Sequence, residues 1–138
     1  KYIHTFPVEK KEISNAILAQ KNNLSKIIKI VHFEIRKKMN TFLNKNKNKK
    51  IIILDIPLLL ENKINKKKDI LVYIEAKRSE IYKRLKKRKN FSFKVYNKLK
   101  KLQLPLELKK SKSDYVIKNN YKSNFTKKNV KIVLKEII

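Results

Sequence analysis

The sequence predicts an α/β protein with a parallel sheet, because short apolar runs alternate with longer segments of helical periodicity. The first run, at residues 51–54, has no polar side, which is typical of a strand covered on both faces of a sheet. Strands joined through helices pair in parallel. We therefore predict parallel strands at residues 51–55, 70–74 and 115–117, with helices flanking the sheet.

Two helices are predicted before the first strand. A modestly amphipathic pattern indicates a helix at residues 12–18. The strongest periodicity covers residues 23–43, where apolar residues recur at steps of three and four, and Asn22 or Asn23 can cap its start. The Lys/Asn repeat at residues 44–50 is a solvated connection to the first strand.

Serine and proline mark the starts of later helices. Ser79 is predicted to cap a helix over residues 79–89, and Ser92 to cap the helix that follows. A short helical segment is expected to begin at Pro105. Apolar residues between 130 and 137 predict a last helix at the end of the chain.

The chain is strongly basic, with 38 Lys+Arg against 11 Asp+Glu and a net charge of +27. That balance is typical of nucleic-acid or anionic-membrane partners. Lys, Asn and Ile fill about half of the positions and all have A/T-rich codons, so we attribute much of the lysine content to base composition. We therefore expect neither a nucleic-acid partner nor a membrane partner.

Length and apolar content favour one domain with its own core, since 138 residues is a usual domain size. No apolar stretch approaches the roughly 18 residues that span a bilayer, and no secretory signal opens the sequence, so a cytoplasmic location is expected. Because there is no Cys, a disulfide, a thiol nucleophile and a Cys-ligated zinc are excluded.

A carboxylate follows the first predicted strand. Asp55 comes at its carboxyl end, and Pro57 ends the strand because it lacks a backbone donor. Ligands bind beyond the carboxyl ends of strands in open α/β sheets, which makes Asp55 a candidate for chemistry. Without a chemical role, Asp55 would be a strand-end cap. Glu61, six residues further on, is a second candidate carboxylate, and its alternative role is a charge at a helix N-terminus.

Several polar residues form short motifs that occur in a fixed order along the chain. They are His32 with Arg36, residues 55–61 (acidic-x-Pro-Leu-Leu-x-Glu), Arg84 with Arg88, Gln103-Leu-Pro with Lys109, and residues 113–117 followed by Asn119 and Asn120.

This ordered set resembles the dephospho-CoA kinase family, and the resemblance runs nearly from end to end. It implies a P-loop-kinase-like, three-layer fold that transfers the ATP γ-phosphoryl group, with Mg²⁺, to the ribose 3′-hydroxyl of dephospho-CoA, the last step of coenzyme A biosynthesis. It also implies that residues 1–50 belong to a helical substrate domain. Residues 51–138 would be the α/β core, with a lid-like helical segment at about 84–112.

The resemblance also implies roles for individual residues. Arg84 and Arg88 are predicted to lie on one helix face, where guanidinium groups can grip phosphate oxygens with paired hydrogen bonds. The alternatives are solvated surface cations for the arginines and a core histidine for His32. The predicted catalytic residues are Asp55 and Arg88, the nucleotide-binding residues are Arg84, Arg88 and Asn119, and the substrate-binding residues are His32, Arg36, Glu61, Gln103 and Lys109.

Some features depart from the family pattern. The sequence has no Gly, so the loop G-x-x-x-x-G-K-[ST], which cradles phosphates, is absent from these residues. Tyr121 occupies a position where the family usually has Gly, and Phe33 one where it usually has Pro. We therefore expect a chain truncated at its amino terminus and inactive alone. In the family's sheet, the first strand would lie between the strands at residues 51–55 and 70–74. Because that strand is missing from these residues, we expect either a gap in the sheet or a direct pairing of 51–55 with 70–74.

Two other function classes stay open from the residues alone. One is a basic nucleic-acid-binding module, in which Lys contacts phosphates and Tyr or Phe stacks on bases. The other is a different nucleoside or nucleotide kinase with the same strand and lid architecture. No metal-ligand set is predicted, since the second histidine, His4, lies in an unrelated segment.

Overall fold

A computed structural model describes residues 2–20 and 22–138. Contacts divide the chain into two compact units. The first runs up to Pro57 and includes Ser92–Asn97, and the second comprises Leu58–Phe91 and Lys98–Ile138. The elements are α1 (Lys10–Ala19), α2 (Asn23–Lys45), β1 (Val72–Glu75), α3 (Arg78–Lys86), α4 (Phe93–Lys100), α5 (Leu106–Ser111), β2 (Tyr115–Lys118) and α6 (Ser123–Ile137).

The second unit contains a two-stranded parallel sheet. Val72 of β1 pairs with Tyr115 of β2, and the register continues to Glu75 and Lys118. Asp114 fixes the start of this ladder, because its carboxylate accepts the Leu71 N–H at 2.7 Å and its own N–H donates to the Leu71 carbonyl at 2.8 Å. The predicted α/β class and the parallel pairing of the later two strands are confirmed.

The core of the second unit lies between the sheet and the last helix. Ile117 of β2 is 6% exposed, and α6 packs against β2. The apolar residues of α6 recur at helical spacing, which gives the helix one face suited to this packing. The predicted carboxyl-terminal helix is confirmed.

The first unit is built on α1 and α2, which contact each other. Ala16 and Ile17 of α1 are both 6% exposed and form its buried part. The Asn23 side-chain amide at the start of α2 donates to the Ala16 carbonyl at 2.8 Å, which joins the two helices by a hydrogen bond. Both predicted helices are confirmed, and no described helix is long and apolar enough to cross a membrane.

The predicted strand at residues 51–55 is wrong. Residues 51–56 belong to no helix or strand, and Ile53 is 80% exposed. A run that is apolar on every side forms a strand when neighbours cover both faces and pair both edges. In the described residues the sheet consists of β1 and β2, so the direct pairing of 51–55 with 70–74 does not form.

Helix starts follow the predictions in part. The Ser92 hydroxyl accepts the Val95 N–H at 3.4 Å at the start of α4, and Pro105 is the N-cap residue of α5, as predicted. Ser79 is not a cap, since α3 begins one residue earlier, after Lys77. Asn22 is the N-cap residue of α2, but its side chain makes no capping hydrogen bond.

Candidate active site

Glu61 and Lys109 form a partly buried ion pair in the second unit. Glu61 lies in the turn that follows Pro57, and Lys109 lies on α5. The Lys109 Nζ is 2.5 Å from Glu61 Oε1, and the two side chains are 19% and 9% exposed respectively. The Leu104 N–H also donates to the same oxygen at 3.0 Å. The carboxylate therefore joins the 58–63 turn to the entry of α5.

The pKa of Glu61 is set by opposing effects. Burial raises the pKa, because it disfavours the charged form. The hydrogen bonds from Lys109 and Leu104 and the positive charge of Lys109 lower it, and the net pKa lies below the ordinary glutamate value. Glu61 is therefore ionised at neutral pH, and its charge is directed at Lys109.

Arg84, on the last turn of α3, lies over an aromatic ring. Its guanidinium carbon is 4.4 Å from the centroid of the Tyr121 ring, which is the geometry of a cation–π contact. Tyr121 has a φ of 63°, a left-handed value that costs a residue with a Cβ about 1–2 kcal/mol. Glycine avoids that cost, which gives a physical reason for a glycine to be usual at this position.

Asn119 follows β2 and organises the turn into α6. Its side-chain oxygen accepts the Tyr121 N–H at 2.8 Å and the Thr126 hydroxyl at 3.2 Å. A cleft of about 530 Å³ lies beside this turn, with Lys127 and Lys131 of α6 among its lining residues. Asn119, predicted to bind nucleotide, thus lies at the carboxyl end of a parallel strand, on the wall of a basic cleft.

The prediction that Arg84 and Arg88 share a helix face is wrong. Helix α3 ends at Lys86, and Arg88 lies in a turn whose carbonyl accepts the Phe91 N–H at 3.1 Å. Asn90 takes a left-handed φ of 66° in this turn, a conformation that Asn tolerates better than most residues. Like charges at i and i+4 also disfavour continuing the helix through Arg88.

The Arg88 turn is attached to α3 by aromatic packing. The Phe91 and Tyr82 rings meet edge to face, with centroids 6.2 Å apart and planes at 80°. Such pairs add to the stabilisation from apolar burial. Arg88 is exposed, so its guanidinium is presented to solvent from a turn that packing holds in place.

The other predicted site residues are dispersed. His32 and Arg36 lie one turn apart on α2, where His32 is half-buried and Arg36 exposed. Asp55 is exposed in the irregular segment after α2, so it does not end a strand as predicted. Gln103 is exposed in the connection between α4 and α5, beside the Leu104 amide that binds Glu61.

A magnesium ion and a triphosphate need a set of donors that these residues do not form. No three His, Asp or Glu side chains are grouped for metal binding in residues 2–20 and 22–138. The sequence also lacks the glycines with which a phosphate-binding loop brings backbone N–H groups to the phosphates. The residues described here do not fit the metal–triphosphate group by themselves.

Two contributors to the site were not predicted. The ring of Tyr121 contacts Arg84, and the backbone amide of Leu104 binds Glu61. The contact of Tyr121 had a signal in the sequence, because a large side chain stands at a position where the family usually has glycine. The second has no sequence signal, because every residue except proline carries a backbone N–H.

The fold and these contacts define an α/β protein with parallel strands, an arginine beside the turn after β2 and a basic cleft there. A family model described as dephospho-CoA kinase matches residues 7–124. The chain belongs to the dephospho-CoA kinase family.

Individual relatives agree with this family. The chain is 27% identical over 133 residues to a dephospho-CoA kinase from Bartonella henselae. The matched segment covers 95% of this chain and 68% of the relative. It is 31% identical over 115 residues to one from Rickettsia bellii, with coverages of 83% and 59%. For one from Bacillus anthracis the identity is 28% over 131 residues, with coverages of 94% and 66%. The chain thus spans about two thirds of the length of these relatives.

Proposed function

We propose that this chain serves the ATP-dependent phosphorylation of the ribose 3′-hydroxyl of dephospho-CoA. The observation that carries the proposal is the family match over residues 7–124. In the reaction the γ-phosphoryl group passes to the hydroxyl oxygen, ADP leaves and the hydroxyl proton is released. The transition state spreads negative charge over the phosphoryl oxygens, so positioned cations provide much of its stabilisation.

Arg84 and Arg88 are the cations proposed for nucleotide binding, and Arg88 also for catalysis. Arg84 is supported by its place beside the turn after β2, where Asn119 and the basic cleft lie. Arg88 is supported by its turn, which packing holds and which leaves the guanidinium exposed. A guanidinium suits phosphate oxygens better than a lysine ammonium group does, because its five N–H donors have a fixed planar arrangement.

Glu61, Lys109 and Gln103 are proposed to form the dephospho-CoA side of the site. Because Glu61 and Lys109 neutralise each other at 2.5 Å, their first contribution is to hold the 58–63 turn against α5. Gln103 precedes the Leu104 amide that Glu61 binds, so its exposed side chain is carried by an anchored segment. We propose residues at about 84–112 as a lid-like segment that carries Gln103 and Lys109.

The remaining proposed roles are on the first unit. His32 and Arg36, one turn apart on α2, are proposed to contact dephospho-CoA, and residues 1–50 to form the helical substrate portion. Asp55 is proposed to lie beside the attacking hydroxyl. Residues 51–138 are proposed as the α/β core.

ATP is the phosphoryl donor of the proposed reaction and Mg²⁺ its metal. The described residues supply neither the metal donors nor the phosphate-binding loop, so no step through these groups is assigned to them. A cytoplasmic location and the absence of a nucleic-acid partner are part of the same proposal.

The proposal is tested by reconstitution. The 138-residue chain should show no dephospho-CoA phosphorylation above background, since its sequence lacks the glycine-rich loop that would hold the β- and γ-phosphates in line. Fusion to an amino-terminal segment that carries the family's glycine-rich loop should restore turnover. The control is the same fusion with the loop lysine replaced by alanine. A correctly folded fusion that binds ATP but does not phosphorylate dephospho-CoA would reject the proposed function.

A further inference from the structure

Tyr121 links the turn after β2 to helix α3. Its N–H donates to the Asn119 side-chain oxygen at 2.8 Å, and its ring lies 4.4 Å from the Arg84 guanidinium carbon. Its left-handed φ of 63° is maintained although the residue has a Cβ. The hydrogen bond therefore holds the backbone of Tyr121 in the turn, while its ring contacts Arg84 on α3.

The ring restrains a side chain that is otherwise free to move. Arg84 is exposed near the end of α3, and no carboxylate pairs with it in the part of the chain that the structure describes. An unpaired arginine at such a place samples many rotamers. The ring attracts the guanidinium charge through its π face and accepts no conventional hydrogen bond, so the N–H donors stay available to an anion.

We infer that Tyr121 is a positioning residue, which holds Arg84 ready for the anionic part of a nucleotide at the cleft beside β2. The inference rests on the proposed function. Tyr121 lines the cleft together with Lys127 and Lys131, and the Arg84 guanidinium lies over its ring, so the contact holds a third cation next to a cleft that already has two. A restrained donor loses less conformational entropy on binding than a mobile one, and this increases affinity.

The composition of the chain makes the test direct. Arg36, Arg78, Arg84 and Arg88 are its four arginines, so a ¹⁵N spectrum of arginine side chains contains four Nε–H signals. The Arg84 signal is identified by its loss in Arg84→Lys. Ring currents should displace this signal from the other three in the unaltered chain and in Tyr121→Phe, which keeps the ring. Tyr121→Asn should abolish the displacement, and it suits the left-handed backbone because Asn tolerates that region.

The same samples are then titrated with ATP in salt that screens exposed charges. Tyr121→Asn should bind ATP about fivefold more weakly than the unaltered chain, and Tyr121→Phe should bind it equally. In the Arg84→Gln background, Tyr121→Asn should cause no further loss, since Tyr121 acts on the nucleotide through Arg84.

Each result decides a different claim. A missing ring-current displacement, or equal ATP affinity in Tyr121→Asn, rejects the positioning role even when ATP binds. ATP that moves no arginine signal while the displacement is present rejects nucleotide binding at this cleft, and with it the role of Tyr121 there. Thermal unfolding of each variant, followed by circular dichroism, separates these results from loss of the fold.

Discussion

Glu61 and Lys109 form an ion pair 2.5 Å long in which the glutamate side chain is 9% exposed. The neighbouring Lys110 pairs with Glu75 at a similar 2.6 Å, but those side chains are 41% and 34% exposed. Water screens the second pair, whereas the first is partly removed from water. Two adjacent lysines on one short helix thus make ion pairs of nearly equal length in different surroundings.

The two lysines should therefore differ in their effect on stability. Lys109→Met leaves the Glu61 carboxylate without its main partner and should lower the free energy of unfolding by about 1–3 kcal/mol. Lys110→Met should cause a smaller loss, because water replaces the ammonium group at Glu75. Urea titrations of both variants measure this difference. Equal losses would mean that burial does not distinguish the two pairs.

The contribution of Glu61 should depend on pH. Its pKa is lower in the folded chain than the ordinary value of 4.5, so its stabilisation is complete above that value and is lost as pH falls through the folded pKa. Glu61→Gln should be less stable than the unaltered chain at neutral pH, and this difference should shrink well below pH 4.5.

Glu136→Gln is the matched control, since Glu136 is exposed on α6. It should change stability little at either pH. A difference for Glu61→Gln that stays constant from neutral to acid pH would show that the carboxylate charge is not what stabilises the turn.

Arg88 should matter for turnover in the reconstituted fusion. Arg88→Ala should lower kcat by roughly 100-fold, the scale of one lost transition-state donor, while the exposed neighbour Lys87→Ala should have little effect. Arg88→Lys should recover only part of the rate, because it returns the charge without the paired donors. Equal, small effects of the two alanine variants would remove Arg88 from the site.

Binding to DNA should be weak and electrostatic. If the lysine content reflects base composition, affinity for duplex DNA should be independent of sequence and should fall steeply with salt. Fluorescence anisotropy with two unrelated duplexes at two salt concentrations measures both properties. Affinity that resists salt, or that differs between the duplexes, would favour the nucleic-acid-binding module.

Local patterns predicted most elements of this fold. The periodicity of α2, the serine before α4 and Pro105 before α5 each act through neighbouring residues, so the sequence alone contained the information. The apolar runs that form β1 and β2 were also predicted as strands from local composition, and their parallel pairing was predicted from the helices that lie between them in the chain. The motifs also indicated the family, because several short matches in one order are more specific than any single match.

Contacts between distant segments were decided by the tertiary structure. Residues 51–55 have the composition of a buried strand, yet they form none, since a strand requires partners that composition cannot guarantee. The i, i+4 spacing of Arg84 and Arg88 predicted one helix face, but α3 ends at Lys86, so Arg88 lies beyond the helix.

The sequence by itself determined the α/β class, the basic surface, the family and the residue types available for phosphate binding. The tertiary structure decided which of these residues meet. It pairs Glu61 with Lys109 and the Leu104 amide, and it places Arg84 over Tyr121. The physical reason is that periodicity and capping depend on residues a few positions apart, whereas ion pairs and cation–π contacts depend on distances that only the folded chain sets.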